Sequence, residues 1–264
     1  MNVMQSFQLK SKVAIVTGGA GKYGRFLVEA LAEAGATTYI ADFLDEEKLK
    51  PLLNGFHARG LENIRSKFVS LGEEASMKAL IDAVVKEAGH LDILVNCAVT
   101  RCACTGWRIP LETYDKSFHI NASSLLYLTS LAGDAMKKQN SGSIINIGSF
   151  MGLVGVESAN YDGTEMGKVP IPGYFYEKGG MVNFTRWAAS ELGKFNIRVN
   201  AIHPGGLMED TLPENFVRNY SARTQLGRLA TGNDLKGIVV FLASDASSYI
   251  TGANIPVDGG YTAK

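Results

Sequence analysis

An apolar run, Lys12–Thr17 (KVAIVT), passes without interruption into Thr17-Gly18-Gly19-Ala20-Gly21-Lys22-Tyr23-Gly24, and then into a segment with helical spacing. In that segment Phe26, Leu27, Ala30 and Leu31 recur at a helical period, and Gly35 closes it. A strand apolar at every position has no solvent face, so it belongs inside a sheet covered on both sides. The glycines between it and the helix allow positive φ and a close approach of other atoms to the backbone. The helix start then presents unpaired N–H groups and a partial positive charge to whatever fills that space. A strand, a glycine turn and a helix in this order constrain the fold more than any other stretch of the chain.

The rest of the chain repeats the rhythm. Thr37–Ala41 forms the second strand, ending at Asp42, and Leu91–Cys97 (LDILVNC) the fourth, with helical and strand segments between them. A long helix is expected over Leu111–Lys138, a strand over Ser143–Ile147, a helix over Gly173–Lys194 and a strand over Ile197–Ile202. Asp234–Ala243 reads as helical and Asn254–Val257 as a short last strand. Short β-branched runs alternating with helices indicate α/β architecture, a doubly wound parallel sheet. At 264 residues, with no repeat and no low-complexity linker, the chain reads as a single domain, 1–264. One segment breaks the pattern, an insertion at 150–172 (Phe150–Pro172) too long and too rich in glycine and proline for an ordinary connection.

Composition narrows the possible partners. Lys plus Arg equals Asp plus Glu at 26 each, so net charge gives no argument for nucleic acid or an anionic membrane. No apolar run approaches the roughly 18 residues that span a bilayer, and Met1–Lys12 lacks a signal-peptide core, so a cytoplasmic location is the expectation. The cysteines Cys97, Cys102 and Cys104 are odd in number and have no histidine at finger-like spacing. They read as a small-residue loop, with no metal site.

Two groups of residues carry chemistry. In the turn, Gly18, Gly21, Lys22, Tyr23 and Gly24 form a candidate phosphate cradle, the alternative being a mere tight turn. Asp42 lies 18 residues beyond Gly24, where a carboxylate can accept both ribose hydroxyls of an adenosine and repel a 2′-phosphate. This favours NAD over NADP, with Lys22 as a partly offsetting charge and a helix cap as the bland role for Asp42. Further on, Tyr174-Phe-Tyr-Glu-Lys178 sets a phenol and an ammonium at i and i+4 on one helix face. A free phenol titrates near 10, and a neighbouring cation favours its ionised form. Ser149 follows the fifth strand, and Asn121 sits among Ile120, Leu125 and Leu126 in the long helix. Singly these are ordinary: a chance tyrosine–lysine pair, a turn cap, a backbone-bonding asparagine. Tyr161 and Tyr176 are rival phenols, with Glu165 and Gly180 rather than lysine four residues on.

Taken in order, these motifs make the chain resemble a short-chain dehydrogenase/reductase along nearly its whole length. The resemblance is carried by the TGGAGKYG turn, Asn96-Cys97-Ala98, Asn121, GSIINIGS ending at Ser149, YFYEK, RVNAIHPGG (Arg198–Gly206) and ITGANIPVDGG (Ile250–Gly260). It implies a Rossmann-type sheet of seven strands, order 3-2-1-4-5-6-7, and an oxidoreductase interconverting a secondary alcohol and a ketone. By resemblance Tyr174 is the general acid/base, Lys178 holds the nicotinamide ribose, Ser149 polarises the carbonyl and Asn121 keeps a water in a proton relay. The cofactor-binding set it implies adds Ser70, Leu71, Asn96, Ala98, Pro204, Gly205, Gly206 and Leu207 to the cradle and Asp42. It also implies a homotetramer or homodimer paired through the two long helices, with Leu125, Leu128, Leu131, Phe184 and Trp187 as candidate contacts.

The departures from the family are specific. The turn reads TGxxGxxG where the short single-domain branch has TGxxxGxG, Val99 replaces a glycine, and Ser70 replaces an adenine-facing aspartate. Ser149 precedes Tyr174 by 25 residues, which resembles the extended branch, yet only 86 residues follow Lys178, and they hold the short branch's tail. The insertion resembles one in short-branch enzymes of surface-carbohydrate and flagellin-modifying sugar pathways. That points to a sugar or other polar hydroxylated substrate met by Glu157, Asn160, Tyr161, Asp162, Thr164 and Glu165, beneath a lid hinged at glycines. Two other functions compete: a reductase of 3-oxoacyl thioesters, and a non-catalytic nicotinamide-binding sensor.

Overall fold

Seven strands join into one sheet in the order β3-β2-β1-β4-β5-β6-β7, each neighbouring pair parallel. The structure is a computed structural model and describes residues 2–101, 107–166 and 172–263. The strands are β1 (Val13–Thr17), β2 (Thr37–Asp42), β3 (Ile64–Phe68), β4 (Ile93–Asn96), β5 (Gly142–Ile147), β6 (Ile197–Pro204) and β7 (Asn254–Val257). The helices are α1 (Val3–Ser6), α2 (Gly24–Glu33), α3 (Glu46–His57), α4 (Glu74–Ala88), α5 (Leu111–Phe118), α6 (Ser124–Lys137), α7 (Pro172–Leu192), α8 (Glu214–Ser221) and α9 (Lys236–Ala243). The strand order is the one the family resemblance implied.

Alternation along each strand divides its side chains between two cores. Ala14, Val16, Ile93, Val95 and Ile145 face one side, where Leu27 and Leu31 of α2 and Val239 and Leu242 of α9 cover them. Ile15, Leu94, Ile144 and Val199 face the other, against Leu80 and Val84 of α4, Leu128 and Met136 of α6, and Leu192 of α7. With both faces dry, the central strands must be apolar at nearly every position, which is how they appear in the sequence. Register aligns Thr17 with Ala41 and Asn96, and Asn96 with Asn146, so the strand carboxyl ends share one edge. The chain leaves β1 toward β2 and resumes on its other side at β4. A crevice opens at such a reversal.

The structure departs from the expected elements in several places. The helix expected over Leu111–Lys138 is interrupted by a π-helical turn, His119–Ser123, that contains Asn121. Ser124 gives both its N–H and its hydroxyl to the His119 carbonyl, which satisfies the wide turn internally. The helix α7 ends two residues before Lys194, and Asn196 closes the following 3-10 turn at φ 55°. Strand β6 runs on to Pro204 because β7 pairs with its end. The helix α8 was not expected, since only Phe216, Val217 and Tyr220 carry its apolar face. Among the proposed subunit contacts, Leu128 is 1% exposed and belongs to the core, as Leu131 and Phe184 partly do. Of the candidates, Trp187 is exposed, at 63%, and the other large exposed hydrophobic side chains of α6 and α7 are Leu126 and Tyr176. Among the described residues no helix is long and apolar enough to cross a membrane.

One ion-pair cluster ties a helix to the sheet edge. Glu87 of α4 pairs with Lys67 at 2.6 Å and with Arg65, and accepts the Tyr39 hydroxyl at 3.0 Å. These donors, Lys67 first and Arg65 next, hold its carboxyl at about 2 instead of the usual 4.5. A depressed carboxylate stabilises the fold above its unfolded value, and that stability drains away as pH falls from about 4.5 toward 2. Glu87 is exposed, so solvent screening keeps the contribution below about 1 kcal/mol. Glu87→Gln should therefore lower Tm at neutral pH by no more than about 3 °C, and the difference should close by pH 2. Thermal scans across that range check it, and a constant difference would mean that charge is not the cause.

Candidate active site

At the carboxyl edge the ends of β1 and β4 pack closely. Gly18 has φ 61°, and a Cβ on it would sit 2.7 Å from the Ala98 Cα. A Cβ on Gly24 would sit 2.0 Å from the Gly18 carbonyl oxygen. The Thr17 hydroxyl accepts the N–H groups of Cys97 and Ala98 at 3.1 and 3.2 Å, locking the two strand ends together. The helix α2 then begins with no side-chain cap, and although the Arg25 and Phe26 N–H groups bond the Gly21 and Tyr23 carbonyls, its start presents a partial positive charge that suits an anionic ligand. Gly18, Gly21, Lys22, Tyr23 and Gly24 lie together in this turn at the start of α2.

Each flank of the cradle is held from outside. Asp42 is buried at the end of β2 and accepts the Ala20 N–H at 3.1 Å, which fixes a carboxylate against the turn. The Lys22 ammonium reaches away from Asp42 to Glu209, 2.5 Å distant, beyond β6. The Tyr23 hydroxyl donates to the Gly205 carbonyl at 3.0 Å, and burial pushes that phenol far above its ordinary range. The Gly206 N–H meets the Tyr220 hydroxyl at 2.6 Å, and Leu207 bridges to Ala230. Pro204, Gly205, Gly206 and Leu207 are thus pinned opposite the cradle.

Between them the β4 end carries polar side chains through the sheet. Asn96 donates to Thr129 at 3.1 Å and to Asn146 at 2.9 Å, and Asn146 donates to Thr185 at 3.0 Å. A small crevice lies among Thr17, Leu71, Asn96, Ala98, Asn121 and Ser124. It brings Leu71, Asn96 and Ala98 together, while the Ser70 hydroxyl turns to Glu73 at 3.1 Å. Burial pushes the Cys97 thiol up to about 12, so it stays protonated near neutrality. Cys102 and Cys104 lie outside the described residues.

On the other side of the crevice stand the expected reacting groups. The Ser149 hydroxyl oxygen accepts the Met151 N–H at 3.2 Å, which leaves its own hydrogen to donate outward. The turn after Ser149 packs on α7 so closely that a Cβ on Gly152 would sit 2.5 Å from the Lys178 carbonyl oxygen. Lys178 is buried, donates to the Ile147 carbonyl at 2.8 Å, and lies 5.7 Å from the Tyr174 ring centre. Asn121 accepts the Thr100 N–H at 2.8 Å and donates to the Thr100 carbonyl at 2.9 Å. Its side chain therefore clamps the loop after β4 by both backbone groups of one residue.

Three side chains here were not singled out in the sequence. Glu177 is buried, accepting Asn121 at 2.9 Å on one oxygen and the Ser117 hydroxyl at 2.6 Å on the other. A carboxylate one position before Lys178, where helical geometry turns it toward α5, was its available signal. His203 is fully buried behind Ser149, with Nδ1 3.0 Å from the Ser149 carbonyl oxygen and 3.3 Å from its backbone nitrogen, and Nε2 2.8 Å from the Asn254 oxygen. Arg101 lies over the Tyr174 ring, 5.5 Å from its centre. Nothing in spacing alone marks His203 or Arg101.

The insertion departs from its expected form. Phe150 and Tyr161 join Phe216, Tyr220, Leu229 and Tyr261 in a third apolar cluster, and Asn160 donates to the Tyr261 hydroxyl at 2.8 Å. Asn160 and Tyr161 are thus buried against aromatic residues far along the chain, with the Asn160 amide nitrogen taken by Tyr261 while its Oδ1 has no partner among the described residues. Residues 167–171, including the proposed hinge Gly167, lie outside the described residues.

Similarity to known proteins agrees with this geometry. A family model described as enoyl-(acyl carrier protein) reductase matches residues 23–262. A 3-oxoacyl-[acyl-carrier-protein] reductase of Thermotoga maritima is 32% identical over 258 residues, covering 96% of this chain and 98% of the relative. A 2-dehydro-3-deoxy-D-gluconate 5-dehydrogenase of Escherichia coli is 30% identical, with coverage of 99% and 100%. The crystal structure of a gluconate 5-dehydrogenase from Burkholderia cenocepacia, in complex with NADP and tartrate, superposes with a TM-score of 0.87 at 26% identity, covering both chains fully. On its sequence motifs, its sheet order and these relatives, the chain belongs to the short-chain dehydrogenase/reductase family, nicotinamide-dependent enzymes that act on CH–OH groups.

Proposed function

We propose that this enzyme interconverts a secondary alcohol and a ketone on a polar, hydroxylated compound such as a sugar or sugar acid, with NAD as cofactor. The observation that carries the reading is the buried Lys178 ammonium anchored on Ile147 beside the Tyr174 ring, with the Ser149 turn packed on the same helix. The uncapped start of α2, beside a glycine turn packed tightly onto the end of β4, fits the pyrophosphate of a dinucleotide. When bound, the nicotinamide supplies the hydride acceptor or donor. Ser149 donates its free hydroxyl hydrogen to the substrate oxygen. Tyr174 takes the hydroxyl proton during oxidation and returns it during reduction. Lys178 keeps two further hydrogens for the ribose and for solvent. The Asn121 amide N–H groups are taken by Thr100, Ser117 and Glu177, so its side chain sets the loop after β4.

For the cofactor, the buried Asp42 carboxylate would meet a 2′-phosphate as a like charge, while Lys22 is paired with Glu209 and does not neutralise it. The polar substrate class rests on the two gluconate-type relatives and on the insertion's similarity to sugar-pathway enzymes. The rival, reduction of a 3-oxoacyl thioester, draws on the Thermotoga relative and the family model's description. Retention of Ser149, Tyr174 and Lys178 argues against a non-catalytic sensor.

A panel of polyols, sugar acids, ketones and 3-oxoacyl thioesters, assayed with both cofactors at the reduced-nicotinamide absorbance, separates these functions. Tyr174→Phe should lower kcat by several orders of magnitude with NAD affinity nearly intact. Near-normal turnover by that variant alongside inactivity of Tyr161→Phe would move the acid/base role to Tyr161. NAD should be preferred over NADP by at least about tenfold, or roughly 1.4 kcal/mol, and Asp42→Ala should narrow the gap. Equal affinities for both cofactors in the unaltered enzyme would remove Asp42 as the selector.

A further inference from the structure

The loop after β4 brings a second cation to the reacting phenol. Lys178 lies on one flank of the Tyr174 ring, buried and bonded to Ile147. Arg101 lies 5.5 Å from the same ring centre but is exposed at the mouth of the site. Among the described residues, no carboxylate is within ion-pair distance of Arg101. Its charge also reaches the insertion: burial raises the Tyr161 phenol, and Arg101 opposes that rise. The guanidinium therefore stands near both Tyr174 and Tyr161.

Its root is held with unusual care for a surface residue. Thr100, the residue before it, has both backbone groups bonded to Asn121, at 2.8 and 2.9 Å. Asn121 is in turn held by Glu177 at 2.9 Å, and Glu177 by Ser117 at 2.6 Å, all buried. Burying a carboxylate with neutral partners is costly, so this bracing must be offset by what it positions or packs. Contact of an exposed cation with a ring is weak by itself. A guanidinium presents a planar fork that meets a carboxylate through two parallel hydrogen bonds.

We propose that Arg101 forms an anion subsite beside Tyr174, and that the natural substrate is a hydroxy acid whose carboxylate lies close to the hydroxyl that reacts. This rests on the alcohol–ketone reading above and narrows it from polar compounds to anionic ones. The Asn121–Glu177 bracing sets where the loop begins, and Arg101 reads the substrate's charge.

Matched pairs test it: gluconate against glucitol, galactonate against galactitol, and tartrate against threitol, each with NAD. The enzyme should favour the acid of a productive pair by at least about tenfold in kcat/KM, the scale of one charged hydrogen-bonded contact. Arg101→Met should reduce that acid-to-alcohol ratio by a similar factor, and Arg101→Lys should retain part of it. A ratio near one, or a ratio that Arg101→Met leaves unchanged, overturns the subsite while the oxidoreductase reading stands. Absence of turnover on every hydroxy compound with either cofactor removes that reading. The subsite is then decided by calorimetric titration of tartrate into the NAD-saturated protein. Binding that Arg101→Met weakens at least about tenfold supports it, and equal or absent binding in the two proteins overturns it.

Discussion

The close approach of β1 and β4 at their carboxyl ends is the constraint on which the rest of the site depends. Gly18 and Ala98 leave no room for a side chain between them, and the Thr17 hydroxyl bonds the two strand ends directly. Because every strand is parallel, this junction shares an edge with Asp42, Asn96, the turn at Ser149 and Pro204. A parallel sheet dry on both faces leaves that edge as the place where backbone N–H groups, polar side chains and solvent meet. The site is a consequence of how the core is buried.

Polar groups inside this core are joined rather than isolated. The run Thr129–Asn96–Asn146–Thr185 crosses β4 and β5 and links α6 to α7. A second run, Ser117–Glu177–Asn121–Thr100, links α5 and α7 to the loop after β4. Buried hydrogen-bonding groups are expensive when unpaired and rigidifying when paired. Both runs touch α7, which carries Tyr174 and Lys178, so the reacting helix is fixed from two directions. The tyrosines Tyr23 and Tyr220 serve the facing turn in the same way, through Gly205 and Gly206.

Much of this was legible in the sequence, for reasons of range. The strands and the cradle are local signals, since a dry strand must be apolar and a turn against Ala98 must be glycine. Tyr174 and Lys178 are one helical turn apart, and that spacing alone suggests a shared face. What escaped depends on distant partners. His203 acquires its role only when β7 supplies Asn254, and Glu177 only when the π-helical turn brings Asn121 inward. Asn160 and Tyr161 looked like ligand donors because the residues that bury them, Phe216 and Tyr261 among them, lie far downstream. Polarity in a loop does not say whether water, ligand or protein will meet it.

The central claim is that hydride passes between a substrate carbinol carbon and nicotinamide while Tyr174 handles the proton. Isotopic tracing tests it most directly, using NAD and a substrate bearing deuterium on the carbinol carbon. NMR of the isolated reduced cofactor should show one deuterium per turnover at nicotinamide C4, on a single face, with none lost to water. Deuterium released to solvent, or product formed without a labelled nicotinamide, would contradict direct transfer and with it the account given for this site.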